Sequence, residues 1–305
     1  MSAPTATARV RADAPRRRLT REVVETRVLG VLKWVTIGFF LIVTLFPFYY
    51  MVLLSIRAID QVILHPSQVI IPLQELTLDA YRSVLRSASH GGQGFVRFMV
   101  NSGLVALATV LITIAVAIPG AYAVSRLRFF GKRPINYLFF AVYLFPAILL
   151  AIPLFVLFSR LGLRGTLPTL VIVYVAQTLP VSIFMLRNYL ETVPRSLEEA
   201  AAVDGATRLQ TIWKVSIPLA MPAIMATALY VFMIAWNEFL FALLFLVERR
   251  ENWTVSLGLS QLDTIETPKT VLMAGAVILT IPVVVLFFLT ERLLVEGLTS
   301  GAEKG

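Results

Sequence analysis

Six long apolar segments decide what this chain can fold into: Trp34–Ile56, Phe98–Val124, Ile135–Phe158, Leu167–Leu186, Ala220–Val247 and Val271–Leu289. A helix needs about 20 mostly apolar residues to cross the hydrocarbon core of a bilayer. Inside lipid every backbone N–H and C=O has to find its partner within the protein, so runs of this length form membrane-spanning helices. Composition agrees, with 58% hydrophobic and 15% charged residues, against about 45–50% and 25% in a soluble domain. The expected fold is an all-α polytopic bundle of six transmembrane helices. The first run follows a basic tail, but it is too long for a signal-peptide core and no small-residue cleavage site follows, so it reads as a retained span.

Six is an even number, which puts both termini on one side. Lys and Arg choose the side. Of the 27 in the chain, eighteen fall in the tail through Lys33, in the loops Arg126–Arg133 and Arg187–Lys214, and at the C-terminal end. The positive-inside bias places those segments, and both termini, in the cytoplasm of a multi-pass plasma-membrane protein. The net charge of +9 is thereby explained by topology, and nucleic acid is not an expected partner. There is no cysteine, which excludes disulfides, thiolate metal sites and cysteine nucleophiles. His65 and His90 share one polar loop without ligand-like neighbours, so no metal site is expected.

Residues 1–30 read as a basic cytoplasmic tail that enters an amphipathic helix, and residues 31–305 as the membrane domain. Met1–Arg18 has a disordered composition rich in Ala, Pro and Arg. From Leu19 to Val35 apolar residues recur at helical spacing, as in a surface-lying helix that turns into the first span. In the outer loop, LTLDAYRSVL reads as one short helix.

The segment 191–218 is polar and sits between apolar runs. Pro194 stops an incoming helix. Ser196 followed by Glu199 has the spacing of a capping box. Ala200, Ala201 and Ala202 are strong helix formers with little side chain. Gly205 stands where a left-handed C-terminal residue is wanted. Glu199, Ala200, Ala201, Gly205, Val215, Ile217 and Pro218 resemble the EAA loop of bacterial ABC-importer permeases, a pattern of E-A-A, three residues, Gly, nine residues and I-x-L-P. Val and Ile replace the Ile and Leu of that pattern. The stretch Val100–Arg133, the AWNEFLFALLF of residues 235–245 and the tail EGLTSGAEKG of residues 296–305 are similar to the carbohydrate branch, the MalG-like permeases of maltose/trehalose-type importers. The resemblance covers nearly everything after residue 30.

What the resemblance implies is a type I ABC importer permease fold. It also implies a second, MalF-like permease subunit, two ATPase subunits below, and an extracytoplasmic solute-binding protein that delivers a carbohydrate. ATP and Mg would sit on the ATPase, with no cofactor on this chain. Glu199, Ala200, Ala201, Asp204, Gly205 and Pro218 would form the ATPase-coupling element. Gly297, Ser300 and Gly301, in the tail, would lie at the ATPase interface.

Glu238 is the acidic residue well inside a span, where a charge costs roughly 2.5–3.5 kcal/mol on insertion scales. With Trp236 and Asn237 it is a candidate lining or gate of the translocation pathway; an interspan brace is the alternative. Adjacent helix positions point about 100° apart, so the three cannot share one wall. Asn101, Ser102, Gln177, Ser182 and Asn188 read as packing contacts between spans. Pro119, Pro146, Pro153, Pro180, Pro222 and Pro282 are candidate flex points.

The chain lacks the phosphate-cradling GxxxxGK[ST], so it is not itself a P-loop ATPase. The expected function is import of a di- or oligosaccharide by alternating access, driven from a separate ATPase. A permease for a non-sugar solute such as a glycerol phosphate or a polyol is the alternative. A membrane-embedded enzyme is remote, because Glu238 has no acidic or His partner at its depth.

Overall fold

The computed structural model describes residues 21–66 and 68–302. The tail Met1–Arg18 and Lys304 lie outside them. Among the described residues the chain is helical, with one isolated antiparallel bridge between Arg57 and Leu76.

Helix α1 (Arg21–Ser55) is continuous, with Pro47 inside it. The expected turn between a surface helix and the first span is therefore absent, since the apolar periodicity of the basic stretch simply runs on into the span. The outer loop follows, with α2 (Ile59–Leu64) and α3 (Asp79–Leu85), the latter where LTLDAYRSVL placed a helix. Arg57 organises this loop from a buried position, donating to the carbonyl of His65 at 3.1 Å and to Gln68 Oε1 at 2.6 Å.

The core is built on α4 (Phe95–Arg126) and α7 (Leu167–Thr192). The two run parallel, as shown by Thr113 bonded to Thr178 and Arg126 bonded to the carbonyl of Val193. Small residues make the close approach possible: Ala106, Thr113, Ala117 and Ala121 are fully buried. Between helices in lipid such residues allow backbones to pack tightly, where no hydrophobic drive exists. The other face of α4 carries Leu104, Leu107 and Leu111, large and exposed. Small inside and large apolar outside is the pattern of a helix whose outer face meets something as apolar as itself.

Two expected spans are broken. Ile135–Phe158 is divided into α5 (Lys132–Leu144), a 3-10 turn at Ala147–Leu150, and α6 (Ala151–Arg160). Pro146 causes the break. It has no N–H to donate, and it pushes Phe145 into extended backbone at φ −79° and ψ 122°. Ala220–Val247 is divided at Glu238 and Phe239, beyond the segment formed by α8 (Arg195–Val203), α9 (Arg208–Thr211), α10 (Ile217–Leu219) and α11 (Met221–Asn237), with α12 (Leu240–Leu246) after the break. Then come α13 (Val255–Ser260) and the long α14 (Lys269–Ala302). Among the described residues four helices are long and apolar enough to cross a membrane. There are five if the pair Arg208–Leu219 and Met221–Asn237, bent by 76°, is counted as one. Length and window-averaged hydropathy of the sequence did not reveal the breaks, although Pro146 and the Asn237–Glu238 pair stand at them.

Candidate functional site

The loop between α7 and α11 is shaped by backbone chemistry. Helix α8 starts at Arg195 with Pro194 at its N-cap, extended at φ −59° and ψ 131°, and no side chain caps it. The expected Ser196–Glu199 capping box is thus replaced: with Pro194 at the N-cap the helix starts at Arg195, two residues earlier than a Ser196 cap would start it, which puts Ser196 inside it. The helix ends in a two-bond closure. The N–H of Gly205 meets the carbonyl of Ala202 at 3.1 Å, and that of Ala206 meets Ala201 at 2.9 Å. This Schellman pattern requires a left-handed residue, and Gly205 supplies φ +83°. A capping box does occur two residues on, where Thr207 and Gln210 cap each other's backbone at the start of α9. A single π turn at Ile212–Ser216 and then Pro218 lead to the bend at Ala220.

The surface of this loop is unlike a solvated turn. Val203 is 88% exposed, and Leu209 and Trp213 are 65% exposed. Glu199, Ala200, Asp204 and Gly205 are exposed beside them, Pro218 is exposed as well, and Ala201 is half-buried. The exposed apolar side chains and the small alanines are interleaved with exposed Arg195, Glu199, Asp204, Arg208 and Lys214.

What fixes the loop to the bundle is Glu198, a residue the sequence reading passed over in favour of its neighbour. Its carboxylate accepts from Arg126 Nε at 3.0 Å, Ser216 Oγ at 3.0 Å and the Tyr122 hydroxyl at 3.4 Å. Arg126 also donates to the carbonyl of Val193 at 2.9 Å. Both charges are buried, with side-chain exposures of 6% for Arg126 and 13% for Glu198. The end of α4, the start of α8 and the π turn are thereby tied at one carboxylate. Arg126 closes an apolar span and Glu198 lies in the next loop of the same side; that pairing of opposite charges was the available signal.

At the other break, Trp236, Asn237 and Glu238 part company. Trp236 is 4% exposed, stacks on Phe232, and donates its indole N–H to the carbonyl of Leu279 on α14 at 2.9 Å. Its ring is buried, with Phe232 of its own helix stacked on it and the Leu279 carbonyl of α14 at its N–H. Asn237 is exposed and donates back to the carbonyl of Met233 at 2.9 Å. Glu238 is half-buried. Its carboxylate accepts the N–H groups of Phe241 at 2.9 Å and Ala242 at 3.2 Å, together with the hydroxyl of Tyr174. It caps the new helix across the break and ties it to α7. The Glu238 carbonyl accepts from Ser256 Oγ at 2.6 Å. Trp236 and Glu238 thus both make contacts between spans of the kind a brace would make. Gly297, Ser300 and Gly301 fall on the last turns of α14, and their surroundings lie outside what is described.

Comparison with known proteins bears on this geometry. Residues 112–299 match the family model of the binding-protein-dependent transport system inner membrane component. The chain belongs to that family. This permease is 40% identical to the inner membrane ABC transporter permease protein YcjP of Escherichia coli, over 88% of this chain and 94% of the relative. It is 37% identical to the trehalose/maltose transport system permease protein MalG of Thermococcus litoralis, over 93% of this chain and 99% of the relative. Among solved structures it resembles a chain of a bacterial ABC transporter involved in import of the acidic polysaccharide alginate, with TM-score 0.75 and 27% identity, covering 88% of this chain and 97% of that one. The matched family region takes in the loop of α8–α10 and the Glu238 break, and begins just before the end of α4 that holds Arg126.

Proposed function

We propose that this chain is the membrane-spanning permease subunit of an ATP-driven ABC importer that brings a carbohydrate of the di- or oligosaccharide class into a bacterial cytoplasm. The observation that carries the reading is the α8 segment. It is a short helix closed by a left-handed glycine, with small exposed alanines and an exposed Val203, and pinned to α4 by the Arg126–Glu198 ion pair. A motile partner that seats on α8 can push the bundle, because the Arg126–Glu198 tie makes loop and span one lever. Relatives named for trehalose, maltose and alginate transport supply the cargo class.

In this reading the membrane is crossed six times, with both ends and the α8 loop in the cytoplasm. The partners are a second permease subunit, two ATPase subunits that carry ATP and Mg, and an extracytoplasmic solute-binding protein. Glu199, Ala200, Ala201, Asp204, Gly205 and Pro218 form the coupling element, and Gly297, Ser300 and Gly301 sit against the ATPase. The chain performs no catalysis and holds no cofactor of its own.

The test is reconstitution. Proteoliposomes with this chain, its partner permease, the ATPase and the binding protein should accumulate labelled trehalose or maltose when ATP is supplied. The chain alone should show neither uptake nor ATP turnover. ATP hydrolysis by the rigorously purified chain, or uptake independent of the ATPase, would refute the proposal.

A further inference from the structure

Helix α1 is longer than a membrane is thick. Its 35 residues extend about 52 Å at the rise of an α-helix, against about 30 Å for the hydrocarbon core. The part from Trp34 to Ser55, about 33 Å long, fills that core by itself. The part from Arg21 to Lys33 therefore runs on without a turn through the headgroup layer, on the side that the proposed topology makes cytoplasmic.

The side chains at this level suit neither plain water nor plain hydrocarbon. Trp34 is 70% exposed, and the Nζ of Lys33 stands 6.0 Å from its ring centre. Two turns earlier the exposed Arg27 shares a face of the helix with Val31 and Trp34. Between the two cations Val28, Leu29, Val31 and Leu32 are all more than half exposed. Leu29 and Val31 point about 160° apart, so one protein surface would not cover both, whereas lipid surrounds a helix. An indole at headgroup level and long cations reaching out to the phosphates are the usual pattern of a membrane interface. Charge points the same way: through Lys33 the chain holds eight Lys and Arg against three Asp and Glu.

We propose that Arg27, Lys33 and Trp34 anchor α1 to anionic phospholipid headgroups of the cytoplasmic leaflet. The guanidinium of Arg27 and the ammonium of Lys33 donate to lipid phosphates. Trp34 sets the depth, and the valines and leucines around it meet the first carbons of the acyl chains. A zwitterionic lipid offers the same depth and apolar cover without net charge, so the anchor selects by charge. Each Lys or Arg near an anionic surface strengthens the attraction about fivefold. The anchor would fix how far α1 slides along its own axis. The inference rests on the cytoplasmic placement of this end of α1 and not on the cargo.

The test uses the full complex in vesicles of mixed phosphatidylcholine and phosphatidylglycerol, with brominated acyl chains carried by one lipid or by the other. The emission that belongs to Trp34 is the difference between the complex and its Trp34→Phe variant, in which every other tryptophan cancels. Brominated phosphatidylglycerol should quench this emission several-fold more than brominated phosphatidylcholine at equal mole fraction. The excess should shrink as salt is raised, vanish when Arg27→Gln and Lys33→Gln are combined, and persist when Arg27→Lys and Lys33→Arg are combined. The salt series needs no charge variant, so it decides the matter if the Gln pair does not assemble. Equal quenching by the two lipids, or an excess that persists in full in the Gln pair, would overturn the anchor. Quenching by neither lipid would mean that a protein subunit covers Trp34, and would overturn it as well. Loss of the excess on adding free glycerol phosphate would mean a site for a soluble phosphate and would overturn the lipid assignment. None of these readings uses sugar or ATP, so failure of the anchor is distinct from failure of the importer reading, which sugar uptake by the same vesicles reports.

Discussion

Arg126 and Glu198 lie 72 residues apart in the chain, yet their side chains meet at 3.0 Å in a buried pair that joins the end of α4 to the start of α8. Removing one partner of such a pair strands the other charge, at a cost of about 3–5 kcal/mol. Glu198→Ala should therefore lower the unfolding temperature of the complex and loosen α8, so that ATP hydrolysis no longer tracks uptake. Glu198→Gln keeps acceptor and donor groups for Ser216 and Tyr122 and should lie between. The measurement is the ratio of sugar uptake to ATP turnover per assembled complex. An unchanged ratio and unfolding temperature in Glu198→Ala would mean that the pair is not the tie between loop and span.

Gly205 isolates a backbone requirement. No atom lies within 4 Å of where a Cβ would stand, so bulk is not the obstacle, but its φ is +83°. A left-handed conformation costs a residue with a Cβ about 1–2 kcal/mol, less for Asn. Gly205→Asn should retain most uptake and Gly205→Ala less. Gly205→Asp adds a charge beside Val203 and should abolish uptake, with the chain still inserted and assembled with its partner permease. Uptake, ATPase activity and co-purification of the ATPase, read on the same preparations, separate failed docking from failed coupling. Wild-type values for Gly205→Asp would remove this loop from the coupling pathway.

Glu238 gives a prediction about helix capping at a break. Its two oxygens receive the N–H groups of Phe241 and Ala242, and loss of a cap costs about 0.5–2 kcal/mol. Glu238→Ala should destabilise the complex and reduce its yield. Glu238→Gln preserves an acceptor oxygen and should keep uptake per assembled complex near normal. A collapse of uptake in Glu238→Gln with normal assembly would show that the charge itself serves the path.

The features legible in the sequence were those carried by local chemistry. Gly205's left-handed turn followed from its place after three alanines, and the short α3 from its polar and apolar spacing. The ridge of small residues on α4 was present but silent, because Ala117 and Ala121 look alike on a packed face and on a lipid-facing one. Glu198 was missed since Glu199 beside it completed the motif, and only the fold shows which of two adjacent carboxylates turns inward to Arg126. The breaks at Phe145–Pro146 and Glu238–Phe239 are marked only locally, by a proline and by the Asn237–Glu238 pair, inside windows whose averaged hydropathy stays apolar. Hydropathy measures transfer to lipid, and it does not register where the backbone stops being helical.

The broken segments also set the last prediction, on topology. If α5, the turn at Ala147–Leu150 and α6 together make one crossing, the fully exposed Phe130 and the exposed Leu161 lie on opposite sides of the membrane. A segment that dipped in and returned would leave them on the same side, against the parallel run of α4 and α7. The same logic applies to α11 and α12, with the exposed Arg195 before them and the fully exposed Ile265 after them. Single cysteines at these four positions, in a chain that otherwise has none, can be labelled by an impermeant reagent in intact cells and again after permeabilisation. The positive-inside rule places Phe130 and Arg195, which lie among basic residues, in the cytoplasm. Leu161→Cys and Ile265→Cys should therefore label in intact cells, and Phe130→Cys and Arg195→Cys only after permeabilisation. Labelling of Phe130→Cys and Leu161→Cys from the same side would reduce the bundle by one crossing. The two ends of the chain would then face opposite sides, against the proposed placing of the C-terminal turns of α14 beside an ATPase.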